Sequence, residues 1–487
     1  MNTGIHVNIY EQYKPLLGAW KDHIRVVKEA VEGYTDTEAT QLALLLENTR
    51  SAIEVTKGRL LNSAPIVEGT DIGMINTFTS NVFDIITSVM PALIANDIVS
   101  IQPLDRRSGQ VFFLKFTYGN NKGGIKRGDN MLSPQQGFSG GDFSGEHITG
   151  ETLTIEGGAV DTKFLHLPIK PGTMVLTSDD DSKMGVELRD VPNADGITGT
   201  FSDTAGTGFG AGTINYTSGD LKLTGVTVNS LTAAWDYDLN SFDAKVDEVD
   251  VRITSEPVVA RPRKLKSVYM FDVAYDLKMS FGLDMDEVIL KATSGEIGFE
   301  IDNEIMQDLL HVAGTNSTWN RNPEFKGMDV KNHQATILDA IHDASNTILS
   351  STKRYEATFV ICGKHAATAI ESLNITNTPY APIFQRAETN GVVGGPHLIG
   401  VLDGKYKVYK NPYYPDNEML VGAKGELFIE SGYVYAPYLP LFASQLLVDA
   451  DFKAQRGFCT LYAKKVVNRF MYHRVTLIDN VPVSASN

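Results

Sequence analysis

Cys362 and His365 form the one Cys-x-x-His pair in the chain. A structural zinc site needs a second pair of ligands at comparable spacing, and none follows. Cys362 also sits in the apolar run ATFVICG, where a packed thiol outweighs a ligand. Carboxylates are plentiful, but a catalytic pair requires convergence in space and shifted pKa values, which abundance does not supply. The consecutive Asp179, Asp180 and Asp181 read as a solvated turn rather than a metal site. Gly206, Gly208, Gly210 and Gly212 imitate a phosphate loop, yet a strand follows them. No helix N-terminus is therefore there to hold an anion, and a turn is the better reading. Nucleophile elbows, Walker loops and His-Glu-x-x-His are missing from the sequence. Asn215-Tyr216-Thr217 and Asn374-Ile375-Thr376 fit glycosylation sequons, which carry no weight without a secretory signal. No catalytic, metal-binding or cofactor-binding residue is assigned, and the expectation is a protein that is not an enzyme.

The elements that would position any such residue come from a chain of 487 residues, too long for one core and enough for two or three domains. Its net charge of -16 repels nucleic acid at long range and argues against a general DNA-binding protein. Only two cysteines are present, so a disulfide framework is ruled out and a reducing compartment such as a cytoplasm is expected. The first residues, MNTGIHVNIYEQYK, do not read as a signal peptide. The apolar run from Val82 to Ala95 contains Asp84 and Pro91 and is too short to span a bilayer.

Near the N-terminus, Ile9, Tyr13, Leu16, Trp20, Ile24, Val27 and Val31 recur at helical steps, with a helix start at Pro15. A second amphipathic helix is expected over Asp36 to Leu61. Strands follow in DIVSIQPL and QVFFLKFTY. A Gly/Asn/Ser-rich excursion from Gly119 to Gly150 has turn chemistry and no periodicity; loops of that length are usually functional or disordered. Residues 151 to about 240 read as short alternating strands, suiting a small sandwich or barrel. Leu283 to His311 reads as a helix whose apolar face is Leu290, Ile297, Ile301, Ile305 and Leu309. Strand and helix then alternate, and FCTLYAKKVVNRFMYHRVTLID is expected to form paired strands.

Charge is patterned along these elements. Arg106, Arg107, Lys115, Lys122, Lys126 and Arg127 make a basic stretch on the strand-and-loop excursion. Arg261, Arg263, Lys264 and Lys266 make another, with acidic counterparts at Asp243, Asp247, Glu248 and Asp250. Glu296, Glu300 and Glu304 form a stripe four residues apart on the long helix. Stacked like charges cost a few tenths of a kcal/mol per pair, roughly, unless cations lie opposite. Either the stripe is a solvated face or it is a contact line for a neighbouring subunit. A basic extended loop in an acidic chain suits self-association through complementary patches. Contact with nucleic acid is the rival reading, but interleaved aromatics for base stacking are missing there.

Several segments in order resemble the T-even-type major capsid proteins of tailed bacteriophages, across nearly the whole chain. They are PALIANDIVSIQPLDRRSGQVFFLKFTYG (Pro91 to Gly119), RKLKSVYMFDVAYDLKMSFGLDMDEVILKATSGEIGFEIDNEI (Arg263 to Ile305), GVLDGKYKVYKNPYYPDNEMLVGAKG (Gly400 to Gly425) and GYVYAPYLPL (Gly432 to Leu441). YKPLL at Tyr13 to Leu17 resembles the start of the family's N-terminal arm.

The resemblance implies an α+β chain with the Hong Kong 97-type major capsid fold. Its parts would be an N-terminal arm at 1–68, a start of the peripheral domain at 69–118 and an E-loop at 119–150. A β-rich insertion domain would follow at 151–240, then the peripheral domain with its spine helix at 241–330. The axial domain would be 331–440, with a return to the peripheral domain at 441–487. It further implies a subunit of hexameric capsomers in an icosahedral shell, located in the virion after assembly in a host cytoplasm. The shell would enclose DNA without binding it specifically and have no membrane partner. Vertex, portal and scaffold proteins are implied partners, with decoration proteins an open case. The inter-subunit contact candidates are then Arg106, Arg107, Lys122, Lys126, Arg127, Glu296, Glu300 and Glu304. The family's maturation protease cuts after Leu or Ile, any residue, then Glu. Ile66-Val67-Glu68 before Gly69 fits, and Leu45-Leu46-Glu47 fits less well. Because the chain starts at Met1, an arm retained in this species is expected, with processing left open. Two rival classes stay in view: a tail tube, sheath or adhesin, and a hydrolase carrying a carbohydrate-binding β module.

Overall fold

The structure, a computed structural model, describes residues 10–31, 34–63, 83, 86–87, 90, 93–122, 125–131, 143–178, 186–203, 206, 208–238, 246–322, 330–373, 384–386, 395–425, 427–430, 432–444, 447–448 and 453–479. It divides into two compact units, Met1–Phe113 with Thr254–Asn487, and Leu114–Ile253. The architecture is mixed α and β.

The first unit opens with α1 (Leu16–Ala19), which starts directly after Pro15, where a missing N–H costs nothing. At Trp20 the backbone leaves the helical region (φ -111°, ψ 20°), so α2 (Lys21–Ala30) is a second helix and not a continuation. α3 (Asp36–Ser63) begins in a reciprocal capping box. Glu38 donates its backbone N–H to Thr35 Oγ1 at 3.3 Å, and Thr35 donates its own to Glu38 Oε2 at 2.8 Å. Leu42, Leu45 and Leu46 seat α3 in the main core. After α4 (Ala95–Ile98) come β1 (Ser100–Ile101) and β2 (Ser108–Tyr118).

Among its described residues the second unit is all β. Its strands are β3 (His147–Leu153), β4 (Ala159–Lys163), β5 (Val175–Thr177), β6 (Glu187–Arg189), β7 (Val191–Pro192), β8 (Thr198–Phe201), β9 (Ala211–Asn215), β10 (Asp220–Thr224) and β11 (Leu231–Asp236). One sheet runs β4-β10-β9-β8-β7 and the other β3-β11-β5-β6. They share a core of Phe164, Phe209, Tyr216, Trp235 and Tyr237. Full burial of such side chains is worth about 1.5–3 kcal/mol each. β3 begins at His147, inside the stretch expected to be loop. β12 (Val249–Val259) leaves this unit and pairs with β2 as a two-stranded sheet.

Back in the first unit the chain forms β13 (Arg261–Met270), α5 (Phe271–Phe281), α6 (Met285–Val312), β14 (Thr315–Asn320), α7 (Val330–Ala335) and α8 (Ile337–Thr352). β15 (Phe359–Cys362), α9 (Lys364–Ser372), β16 (Phe384–Arg386), β17 (His397–Leu402), β18 (Tyr406–Lys410) and β19 (Glu418–Gly422) follow. The last strands are β20 (Tyr433–Ala443), β21 (Leu447–Val448), β22 (Lys453–Val466) and β23 (Tyr472–Ile478). A seven-stranded sheet, β14-β23-β19-β15-β18-β17-β16, carries fully buried Phe359, Val360, Ile361 and Cys362 at its centre. A second sheet orders β1-β20-β22-β13, with β21 on β22.

Two sequence expectations need correction. β22 and β23 are not paired with each other: β22 lies between β20 and β13, while β23 lies between β14 and β19. A helical turn at Arg469–Met471, capped by Asn468 accepting from the Phe470 N–H at 3.1 Å, sends the chain from one sheet to the other. Helix also starts earlier than Leu283, because α5 precedes α6 and ends at Gly282 in a left-handed conformation (φ 68°). That glycine donates its N–H to Lys278 O at 3.0 Å, which closes the helix.

Candidate assembly surface

The basic stretch at 106–127 separates by burial. Lys122 is inside the second unit, with its side chain 1% exposed. Its ammonium donates to Phe143 O and Gly145 O, both at 2.7 Å, and to Asp247 Oδ2 at 2.9 Å. An ammonium has three N–H donors, and all are used. The structure therefore removes Lys122 from the set of surface cations; its charge is spent within its own unit. Asp247 accepts further bonds from Asn120 Nδ2 at 2.7 Å and Tyr237 OH at 3.2 Å, with His166 Nε2 at 3.1 Å. Burial alone would raise this carboxyl, but the bonds from His166, Lys122 and Asn120 hold it down at about 2.

Lys126 and Arg127 behave differently. Both are exposed on a turn fixed by its own backbone. Lys126 N–H donates to Asp129 Oδ2 at 2.9 Å, Arg127 N–H to Asn121 Oδ1 at 2.6 Å and Gly128 N–H to Tyr118 O at 2.8 Å. Gly128 has φ 91°, which a side chain would resist. Two cations are thus presented on a rigid support. Arg106 and Arg107 are exposed too; Arg106 has Asp105 at 3.8 Å, and Arg107 Nε donates to Ala260 O at 3.4 Å.

The acidic stripe on α6 also divides. Arg263, from β13, reaches Glu300 at 2.6 Å and also pairs with Glu304. Lys464, from β22, bonds Glu304 Oε1 at 2.6 Å and Asp308 Oδ2 at 2.5 Å, and the Tyr462 hydroxyl donates to Glu304. Burial would raise the Glu304 carboxyl, but the bonds from Lys464 and Tyr462 bring it below its ordinary range. The cations opposite Glu300 and Glu304 are therefore supplied by the same chain. Glu296 is exposed one turn earlier.

Cys362 is fully buried in the central strand, and burial drives its thiol pKa up, so it packs as an apolar group. Among the described residues no group of three or more His, Cys, Asp or Glu is arranged to hold a metal ion. Gly206, Gly208 and Gly210 all take positive φ, and a Cβ on Gly212 would stand 1.8 Å from Lys222 O. Those glycines serve turns and a close strand approach. Leu45 and Leu46 are buried in the middle of α3, and Glu47 accepts from Trp20 Nε1 at 3.2 Å. Glu68, Gly69, Asp179, Asp180, Asp181 and Asp243 lie outside the described residues.

Exposed apolar side chains collect along β12, β13 and α5. Val249, Val251 and Ile253 do so in the second unit; Leu265, Val268, Met270, Val273, Tyr275, Met279 and Phe281 do so in the first. Single exposed apolar residues are ordinary, whereas runs of them mark a surface that something covers. Sequence reasoning missed α5, because the apolar residues of FDVAYDLKMSF are not confined to one face.

Residues 75–486 match the family model described as "Major capsid protein Gp23". The major capsid protein of Vibrio phage KVP40 is 26% identical over 424 residues, covering 83% of this chain and 79% of that protein. That of Enterobacteria phage T4 is 24% identical over 426 residues, covering 82% and 77%. The solved capsid of Myoviridae Phage XM1 aligns with 50% of this chain and 81% of its own at 11% identity, with a TM-score of 0.34, an overlap too loose to bear on the fold. With 412 of its residues inside the family match (75–486), the chain belongs to the Gp23 major capsid protein family, and its role is structural, in a phage head shell.

Proposed function

We propose that the chain self-assembles, through a Hong Kong 97-type subunit, into an icosahedral shell that encloses DNA. The observation that carries this reading is the β2/β12 two-stranded sheet, whose strands run into and out of the all-β unit at 114–253. It corresponds to an E-loop with an insertion domain at its end. Exposed Val249, Val251 and Ile253 line that sheet, and Lys126 and Arg127 stand on the rigid turn beyond β2. The ribbon lies over a neighbouring subunit, its cations against acidic surface and its apolar residues out of water. Each contact is individually weak. A closed shell multiplies them, since every copy is held by several neighbours at high effective concentration.

In this reading α6 is the spine helix, the seven-stranded sheet belongs to the axial domain, and residues 1–68 are the arm. Hexameric capsomers, a portal, vertex proteins and a scaffold complete the head; the arm is retained in this reading, and Glu68 is the residue after which a maturation protease would cut if it were removed. Intact-mass measurement of chains from mature heads tests the cleavage directly. Charge reversal tests the loop: Arg106, Arg107, Lys126 and Arg127 changed to Glu leave every described core untouched. The variant is expected to stay folded and to form no heads. Normal heads from it would remove the proposed role of the loop.

A further inference from the structure

We propose that α5 is an inter-subunit contact helix, covered in the assembled head by a second copy of this chain. The helix has 11 residues, and isolated helices shorter than about 12–15 residues are marginal in water. Tertiary packing normally supplies the rest, yet none of residues 272–281 is buried. Val273, Tyr275, Met279 and Phe281 are 51%, 55%, 69% and 74% exposed. The next residue beyond the glycine cap, Leu283, is 51% exposed. Val273, Leu277 and Phe281 follow one another at four-residue steps on one stripe, and Tyr275 and Met279 form a second stripe on the opposite side of the helix. A helix apolar on more than one side is buried in its working state.

The occupant follows from family and charge. A head shell of this family is built from this chain, so the commonest neighbour of any exposed surface is another copy. α5 carries Asp272 and Asp276 along one edge and Lys278 on the other, and the same chain holds Lys126 and Arg127 on an exposed hydrogen-bonded turn that can face the carboxylate edge. A carboxylate-edged apolar helix and a cationic turn on one chain are the two halves of a head-to-tail contact, the type that closes rings. This charge argument rests on the adhesive role proposed above for the basic turn; the burial argument does not.

A photo-crosslinker identifies the occupant. With p-benzoylphenylalanine in place of Tyr275, one exposed aromatic replaces another, and irradiated heads are expected to give an adduct of twice the chain mass. Attachment within the Lys126–Arg127 turn supports both readings. Attachment elsewhere on a second copy upholds the helix contact and removes the basic turn from it. An adduct with a different protein, or none from intact heads, overturns the proposal. A second variant gives an independent reading. Met279→Asp with Phe281→Asp alters two exposed positions, so the chain is expected to melt within a few degrees of the parent while head yield drops at least tenfold. Heads at normal yield from that variant would also overturn it.

Discussion

Lys122 Nζ lies 2.9 Å from Asp247 Oδ2, with the two side chains 1% and 4% exposed. These residues are 125 positions apart, so the bond ties the first loop of the second unit to its last segment. Breaking a buried ion pair by removing one member costs about 3–5 kcal/mol, although Asp247 keeps its bonds from Asn120, Tyr237 and His166. Lys122→Met is therefore expected to destabilise the second unit by that amount. Hydrogen exchange across residues 147–236 is expected to accelerate, with exchange in β15 and β19 unchanged. Lys122→Met with Asp247→Asn is expected to cost less than the single change, because no buried carboxylate is left without its cation. A single change costing under about 1 kcal/mol contradicts the clasp.

The same carboxylate sets an acid limit. Asp247 sits at about 2 when folded against an ordinary 3.8. A depressed pKa gives stability that is present above the unfolded value and lost as pH falls through the folded one. Protection of amides in the second unit, measured against their intrinsic exchange rates at each pH, is thus expected to fall between about pH 4 and pH 2, and Asp247→Asn to flatten that fall.

Asp302 titrates in the opposite sense. It is 3% exposed, and its oxygens accept the backbone N–H groups of Ile94 and Ala95, both at 3.1 Å. Burial raises its carboxyl to about 7 despite those bonds. A raised pKa gives stability fully present below the unfolded value and lost as pH rises through the folded one. Between pH 4 and pH 7 the melting temperature of the unassembled chain is expected to fall for this reason. Asp302→Asn is expected to remove that slope; parallel slopes in parent and variant would contradict it.

The glutamate stripe offers a paired comparison. Glu304→Lys places a cation beside Arg263 and Lys464, and the chain is expected to lose stability and soluble yield. Glu296→Lys, at an exposed position, is expected to stay within about 0.5 kcal/mol of the parent. Denaturant titration of both chains separates them, and equal losses would contradict the division of the stripe.

Much of this was legible in the sequence wherever the signal was local. Leu290, Ile297, Ile301, Ile305 and Leu309 repeat at helical spacing, and all are buried on α6. The strands around Val360 and Tyr409 likewise announce themselves by apolar, β-branched and aromatic runs. Long-range partners were not legible. Nothing near Lys122 marks it as a core residue, because burial of a cation depends on an acceptor set assembled from Phe143, Gly145 and Asp247. Arg263 lies 37 and 41 residues from the glutamates it pairs with, so the stripe could be seen and its counter-charges could not. β22 and β23 were visible as strands, but their sheets are decided by the turn at Asn468 and by partners elsewhere. α5 escaped because its apolar residues are not confined to one face, as they would be on a helix packed within its own chain.

Electron microscopy of the purified chain tests the central claim most directly. The account predicts closed shells, or hexamers and polyheads where closure fails. Tubes of tail diameter, or a monodisperse monomer under every condition tried, would contradict it.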